Sequence, residues 1–379
     1  MKVLITGGAG FIGSHTADLL LENGYEVRVI DNLQPPVHQQ GKKPDYIPSD
    51  IEFILGDVCN REDMSKALDG VEAVFHLAAY QGYLPDFSTF AYVNDGSTAL
   101  LYELIVNNRL PIQKVVIASS QATYGEAKYE CSKHGIQYPI PRSLRQLKNG
   151  DWEIKCPECG AGMNPLPVEE SRVNPHNQYA VSKYCEELYS LTLGKRYDIP
   201  TVALRYSITQ GPRQSFSNAY SGILRIFALR LLNGLPPIAY EDGKQLRDYV
   251  YVGDVAAANL LVLENETANF EVFNVGGNEV LSVSEYAELL LGITGRNDIP
   301  IQIPGEFRFG DTRHVISDIS KLRNLGWEPI VPVKHLAMEY VNWAQNQPEA
   351  KDHYGAAEIA MKNAGAIKTV VGQPVASVY

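Results

Sequence analysis

The glycines of Gly7-Gly8-Ala9-Gly10-Phe11-Ile12-Gly13 limit what this chain can fold into more than any other stretch. Lys2-Val3-Leu4-Ile5-Thr6 before them reads as a short buried strand. Ser14 to Asn23 after them has helical spacing, with Ala17, Leu19, Leu20 and Leu21 apolar. Glycines at 7, 10 and 13 let the backbone turn tightly, approach a pyrophosphate and pack helix against strand, with the helix N-terminus facing the anion. A second strand, Glu26-Val27-Arg28-Val29-Ile30, ends at Asp31-Asn32. A carboxylate there accepts hydrogen bonds from the adenosine ribose and repels a 2′-phosphate, which favours NAD over NADP. The expected cofactor contacts begin with Gly7, Gly10, Phe11, Ile12, Gly13, Asp31 and Asn32.

The rhythm continues. Ile51 to Leu55 runs into Gly56-Asp57-Val58, Ala73 to Leu77 into Ala78-Ala79, and Lys114 to Ala118 into Ser119-Ser120. Strands alternating with helices of this length predict an α/β, Rossmann-type doubly wound parallel sheet with its ligand at the carboxyl ends of the strands. Asp57 and Val58 are then placed near the adenine, and Leu77, Ala78 and Ala79 along the cofactor backbone. The net charge of −11 argues against nucleic acid or an anionic membrane as partner. No apolar run approaches a membrane span, and the glycines cut the Val3-Leu4-Ile5 run too short for a signal peptide. Five cysteines in 379 residues make no disulfide scaffold, so a reducing, cytoplasmic setting is expected.

Further along, Pro175-His176-Asn177-Gln178-Tyr179-Ala180-Val181-Ser182-Lys183 puts Tyr179 and Lys183 at i and i+4. On a helix both face one small molecule. An ammonium ~4 Å from a phenol, at an effective dielectric near 20, contributes ~4 kcal/mol, enough to bring a phenolate within reach at neutral pH.

Together, the glycine turn, Asp31, Ala78-Ala79, Ser119-Ser120-Gln121-Ala122-Thr123-Tyr124-Gly125 and Tyr179-x-x-x-Lys183 resemble the extended short-chain dehydrogenase/reductases. Nucleotide-sugar epimerases and dehydratases are the most similar group within these, over roughly residues 1–345. The resemblance implies that Tyr179 is the base, that Ser120 bonds the reacting sugar oxygen beside it, and that Lys183 binds the nicotinamide ribose. It implies that Arg247, in Gln245-Leu246-Arg247-Asp248-Tyr249, and Arg308, in Arg308-Phe309-Gly310-Asp311, bind a nucleotide diphosphate through their guanidinium forks. Arg225 and Arg313 are weaker candidates. Relatives carry Asn where this chain has Ile208. Tyr80, Gln81, Tyr83 and Gln121 are expected to line the sugar pocket. Residues 1–206 would form the NAD-binding domain and 207–345 mainly a smaller substrate-binding lobe, with 248–275 returning to the first domain. Residues 346–379 match no pattern.

Relatives that eliminate water have Asp-Glu directly after the reacting hydroxyl, where this chain has Gln121-Ala122, which cannot shuttle protons. The remaining outcome is epimerisation: a keto-sugar turns about its diphosphate tether and takes its hydride back on the other face. Ala79 to Phe87, the Cys-bearing insert and Ala219-Tyr220-Ser221 resemble the dTDP-L-rhamnose 4-epimerases, which make dTDP-6-deoxy-L-talose. CDP-sugar 2-epimerases and UDP-hexose 4-epimerases share the framework. A non-catalytic NAD-binding sensor would not need Ser120, Tyr179 and Lys183 together, and a simple dehydrogenase would release reduced cofactor. A homodimer joined through helices, including the one with Tyr179 and the Leu100-Leu101-Leu104-Ile105 stretch, is a family expectation.

Residues 127–165 form an insert with a pattern of its own. Cys131-Ser132-Lys133-His134-Gly135 and Cys156-Pro157-Glu158-Cys159-Gly160 are matched hooks, each closed by a glycine suited to a positive-φ knuckle. Cys131, His134, Cys156 and Cys159 fill a tetrahedral zinc, which would be structural. Because the insert lies between Ser120 and Tyr179, it is expected to cover or shape the sugar pocket.

Overall fold

A computed structural model describes residues 1–38, 41–82, 84–218 and 222–370; Tyr83 and Ala219-Tyr220-Ser221 lie outside the described residues. The first part of the chain runs β1 (Lys2–Thr6), α1 (Phe11–Glu22), β2 (Glu26–Asp31), β3 (Glu52–Leu55), α2 (Arg61–Leu68) and β4 (Ala73–His76). Then come α3 (Phe87–Phe90), a π-helical turn (Ala91–Gly96), α4 (Ser97–Asn107), β5 (Lys114–Ser120) and a 3₁₀ turn (Gln121–Tyr124). The insert holds β6 (Lys128–Cys131), β7 (Gly135–Gln137), α5 (Leu144–Lys148) and β8 (Asn164–Leu166). After it come α6 (Gln178–Tyr197), β9 (Thr201–Tyr206), β10 (Ile208–Gln210), α7 (Ile223–Leu232), β11 (Leu246–Tyr251), α8 (Val252–Glu264) and β12 (Val272–Val275). The chain then forms β13 (Val280–Ser282), α9 (Val283–Thr294), β14 (Glu306–Arg308), α10 (Ser320–Arg323), α11 (Val333–Gln345), α12 (Tyr354–Asn363) and β15 (Ile367–Thr369).

Seven strands form one sheet in the order β12-β9-β5-β4-β1-β2-β3, every pair parallel. This is the doubly wound architecture that the sequence rhythm predicts. In β1, Val3 and Ile5 join the apolar cluster on one face and Leu4 the cluster on the other. A sheet covered on both faces needs apolar residues in successive positions rather than alternate ones. α1 begins at Phe11, three residues earlier than its apolar spacing suggests, because extended Gly10 serves as its N-cap. The early start brings Ile12 and Gly13 into the first helical turn.

The second lobe grows from the same sheet. β10 continues just beyond β9 and pairs in parallel with β11, which pairs antiparallel with β13. α7, α9 and α11 close a separate apolar cluster against these strands. α8 and β12 return to the large sheet, and β12 pairs with β9. The segment beyond 346, unreadable in sequence, folds as α12 and as β15, an antiparallel partner for β14. Among the described residues no helix is long and apolar enough to cross a membrane.

One buried ion pair sets the position of α6. Arg205 on β9 donates Nε to Glu187 Oε2 at 3.0 Å and Nη1 to the Tyr124 hydroxyl and the Glu170 carbonyl, both at 2.9 Å. Ser119 donates its hydroxyl to the same Glu187 oxygen at 2.8 Å. Removing one partner of a buried pair leaves the other charge uncompensated. Glu187→Gln should therefore destabilise the protein by about 3 kcal/mol, seen as a lower urea midpoint with an unchanged slope; an unchanged midpoint would refute this role.

Candidate functional site

At the end of β1 the backbone of Gly7 has φ +65°, and a Cβ there would lie 2.7 Å from the Ala78 Cα. A side chain at Gly13 would press into the Gly7 carbonyl oxygen. The turn thus lies against the end of β4, where Thr6 Oγ1 accepts the backbone N–H groups of Leu77 and Ala78 at 3.1 Å each. Asp31, ending β2, accepts from the Ala9 N–H at 3.1 Å and the Leu33 N–H at 2.9 Å. Asn32 donates to Asp57 at 3.1 Å, which links the ends of β2 and β3. Val58 is buried in the second cluster, while Phe11 and Ile12 are partly open and Ala79 is exposed. The structure therefore gathers the residues expected to hold the dinucleotide along the carboxyl edge of the sheet. The cradle fits that group, because the turn has room only for glycine where a pyrophosphate would approach. Sequence reasoning missed His38, which is buried with Nε2 3.8 Å from Asp31 Oδ1. Only the loop after β2 brings it there.

α6 presents the second group. Asn177 caps it, its side chain accepting from the Ala180 N–H at 2.8 Å. Tyr179 and Lys183 lie on its buried side, and the Ser120 hydroxyl is close enough to the Tyr179 phenol to favour its ionised form. Ser119, committed to Glu187, is turned away from that arrangement. Burial raises the phenol above its ordinary range, and Lys183 and Ser120 pull it only partly back. Glu186, unnoticed in the sequence, opposes them: Lys183 Nζ donates to both of its carboxylate oxygens, at 2.9 and 3.0 Å. A second acid, Asp95, approaches from the π-helical turn and is raised to about 6 by burial, with its thiol neighbour Cys185 and Lys183 opposing.

The expected sugar-side residues are less uniform. Gln121 is buried and its Oε1 has no hydrogen-bond partner. The Tyr80 hydroxyl donates to Asp86 and its ring meets Phe90 edge-on; Gln81 is partly exposed. Arg247 donates to the Leu246, Thr312 and Arg313 carbonyls at 2.7, 2.7 and 2.9 Å. Arg308 pairs with Asp311 at 2.7 Å and lies over the Tyr240 ring. Both expected diphosphate arginines thus converge on segment 308–313. Arg313, the weaker candidate, is fully buried among Glu153, Glu241 and Asp242 and serves the scaffold. Arg225 is buried with Nε and Nη2 unpaired.

In the insert, β7-β6-β8 form a small sheet that brings Cys131, His134, Cys156 and Cys159 together, their ligand atoms within 4.8 Å of one another. The two knuckle glycines, Gly135 and Gly160, have φ +67° and +70°. Cys131 and Cys159 sulfurs are 3.8 Å apart, and His134 Nδ1 lies 3.7 Å from Cys131 Sγ and 3.4 Å from Cys156 Sγ. A tetrahedral zinc at its usual bond lengths sets S···S edges of about 3.8 Å and S···N edges of about 3.5 Å. The donor set fits that metal. Arg142, from the insert, pairs with Glu241 at 2.8 Å and donates to the Asp311 carbonyl at 2.9 Å. The insert therefore leans on the segment that Arg247 and Arg308 share.

Comparison with known proteins agrees with this geometry. The chain matches the NAD dependent epimerase/dehydratase family over residues 3–143 and 158–276, so the middle of the insert falls outside the match. It is 31% identical over 360 residues to a dTDP-L-rhamnose 4-epimerase of Burkholderia thailandensis, covering 93% of this chain and 97% of the relative. It is 32% identical over 351 residues to a putative UDP-glucose 4-epimerase of Methanocaldococcus jannaschii, covering 91% and 98%. Among solved structures, a Thermotoga maritima UDP-glucose 4-epimerase with UDP-glucose superposes with a TM-score of 0.74 at 31% identity, over 91% of this chain and 99% of that one. A Thermus thermophilus UDP-glucose 4-epimerase in complex with NAD gives 0.72 at 28%, over 91% and 99%.

The crowding at Gly7 yields a direct test. Gly7→Ala should weaken NAD binding about tenfold or more, roughly 1.4 kcal/mol, by calorimetric titration. Parental affinity in the variant would remove the turn from the cofactor site.

Proposed function

The chain belongs to the NAD dependent epimerase/dehydratase family, and we propose that it inverts carbon four of a nucleotide-activated sugar through a 4-keto intermediate, with dTDP-L-rhamnose as substrate and dTDP-6-deoxy-L-talose as product. The observation that carries this reading is the Ser120, Tyr179, Lys183 group at the carboxyl edge of the sheet, followed by Gln121-Ala122 where an eliminating enzyme needs acids. The Burkholderia relative supports the choice of sugar; the Methanocaldococcus relative favours a UDP-hexose as the second reading.

The residues of the glycine turn and the strand ends would hold NAD, whose nicotinamide would supply the hydride acceptor and donor for the sugar carbon. Tyr179 Oη withdraws the proton of the reacting hydroxyl, and the Ser120 hydroxyl holds the same oxygen. Lys183 supplies positive charge beside the phenol and bonds the nicotinamide ribose. Gly7, Gly10, Phe11, Ile12 and Gly13 would admit the pyrophosphate, Asp31 would take the adenosine ribose hydroxyls, and Asn32, Asp57 and Val58 would border the adenine. Leu77, Ala78 and Ala79 run along the cofactor. Arg247 and Arg308 hold the diphosphate while the keto-sugar turns over, and Tyr80, Gln81 and Gln121 border the sugar. Residues 207–345 form most of the lobe that receives it.

Cys131, His134, Cys156 and Cys159 hold a structural zinc that keeps the insert folded beside this lobe. No disulfide joins any of the five cysteines, in keeping with work in the cytoplasm. Exposed Val181, Leu188 and Tyr189 on α6 suit a homodimer formed through that helix.

Incubation with a panel of dTDP-, UDP- and CDP-sugars, with products resolved by NMR, should show inversion at carbon four of dTDP-L-rhamnose without net reduction of NAD. Tyr179→Phe should lower the rate at least ~10²-fold, the typical scale of a lost acid–base group; parental turnover in that variant would end the proposal. Metal analysis of the purified protein should find zinc at one per chain. Cys156→Ser should lose the metal and melt several degrees lower, whereas a metal-free parent of equal stability would dispose of the zinc.

A further inference from the structure

Glu186 is fully buried on α6, one helical turn beyond Lys183, and two of the three N–H donors of the Lys183 ammonium go to its carboxylate. Among the described residues, Lys183 is the one cation paired with this acid. The groups around the pair come from several elements. Asp95 faces it from the π-helical turn, its Oδ1 buried and without a hydrogen-bond partner, with the Cys185 thiol as a neighbour. His76, on β4, is bound to Thr6 and Ser97 and is held neutral by burial and by Lys183. Tyr102 on α4 bonds to Thr201, Tyr124 and Arg205 are turned to Asn274 and Glu187, and Glu187 is taken up by Arg205 and Ser119. Tyr179 stands one turn back along α6.

We infer that Glu186 is a positioning residue for the Tyr179–Lys183 pair: it anchors the Lys183 ammonium and cancels part of the positive field that acidifies the phenol, and so sets the pH at which Tyr179 can act as a base. The inference rests on Tyr179 being the base, as proposed above. The signs follow from the charges. Burial raises the phenol, the Lys183 cation lowers it, and the Glu186 anion raises it again. Burial also lifts the Glu186 carboxyl itself to about 8, against the pull of Lys183 and with Asp95 and Glu187 adding to the rise. With two Lys183 donors on its two oxygens, the Glu186 carboxylate offsets part of the cation beside Tyr179. That carboxylate resists ionisation of the phenol.

The test reads Tyr179 directly and needs no nucleotide sugar. In NAD-loaded protein, tyrosinate absorbance is titrated with pH in the parent and in Tyr179→Phe, and again in Glu186→Gln and Glu186→Gln/Tyr179→Phe. Each difference isolates Tyr179 from the rest of the chain's 22 tyrosines. The Tyr179 midpoint should fall by about one pH unit in Glu186→Gln, a tenfold gain in phenolate at fixed pH, and return toward the parental value in Glu186→Asp. Should the glutamine variant fail to fold, Glu186→Leu repeats the comparison. A midpoint that stays or rises overturns the inference, whichever sugar is turned over. A fallen midpoint in a protein that epimerises none of the panel upholds Glu186 and removes only the proposed function.

Discussion

A guanidinium almost wholly buried determines where the active helix can lie. Arg205 reaches from β9 to Glu187 on α6, to Tyr124 after β5 and to the backbone at Glu170, where the insert rejoins the chain. A charge so buried is tolerable only when its partners are in place. The arrangement that satisfies it also brings Tyr179 over Ser120. Glu187 holds Ser119 at the same time, so of two adjacent hydroxyls one is consumed by the scaffold and the other left for chemistry.

Much of this was readable in the chain itself. A doubly wound parallel sheet writes itself as repeated apolar runs that end in small or acidic residues, and β1, β2, β4 and β5 all do so. The glycine turn was equally legible, because the space left by Ala78 and by the positive φ of Gly7 admits no other residue. The two cysteine hooks declared their meeting through matched spacing, and the small sheet of the insert brings their ligand atoms within reach of one metal. What escaped reading depends on partners distant in sequence. His38 meets Asp31 through a loop of no pattern, Asp95 reaches α6 from a π-helical turn, and β15 has meaning only beside β14. Tyr179 shows the difference most sharply. Its spacing from Lys183 announces an attractive charge, but neither the burial of the ring nor the second carboxylate at Glu186 can be judged without the fold.

The insert is bound into the smaller lobe by charge as well as by contact. Arg142 and Glu153 from the insert meet Glu241, Asp242, Arg313 and His314, and Trp152 rests edge-on against Phe307. His314 helps hold the Glu153 carboxyl down at about 2, with Arg313 adding to the effect against burial. Arg247 grips the backbone of the same short segment. Whatever moves the insert therefore moves the carbonyls to which Arg247 is tied.

β12 has a consequence for how the molecule can be divided. It lies at the edge of the large sheet yet comes from chain that has already passed through β10, α7 and β11 in the smaller lobe, and α8 on the way packs against α1. No single scission yields two halves that each carry a finished hydrophobic interior: a break after β9 strips the large sheet of its outermost strand and bares the flank of α1. Gene fusions, split reporters or limited proteolysis that treat the lobes as separable pieces will meet a protein that must be inherited whole.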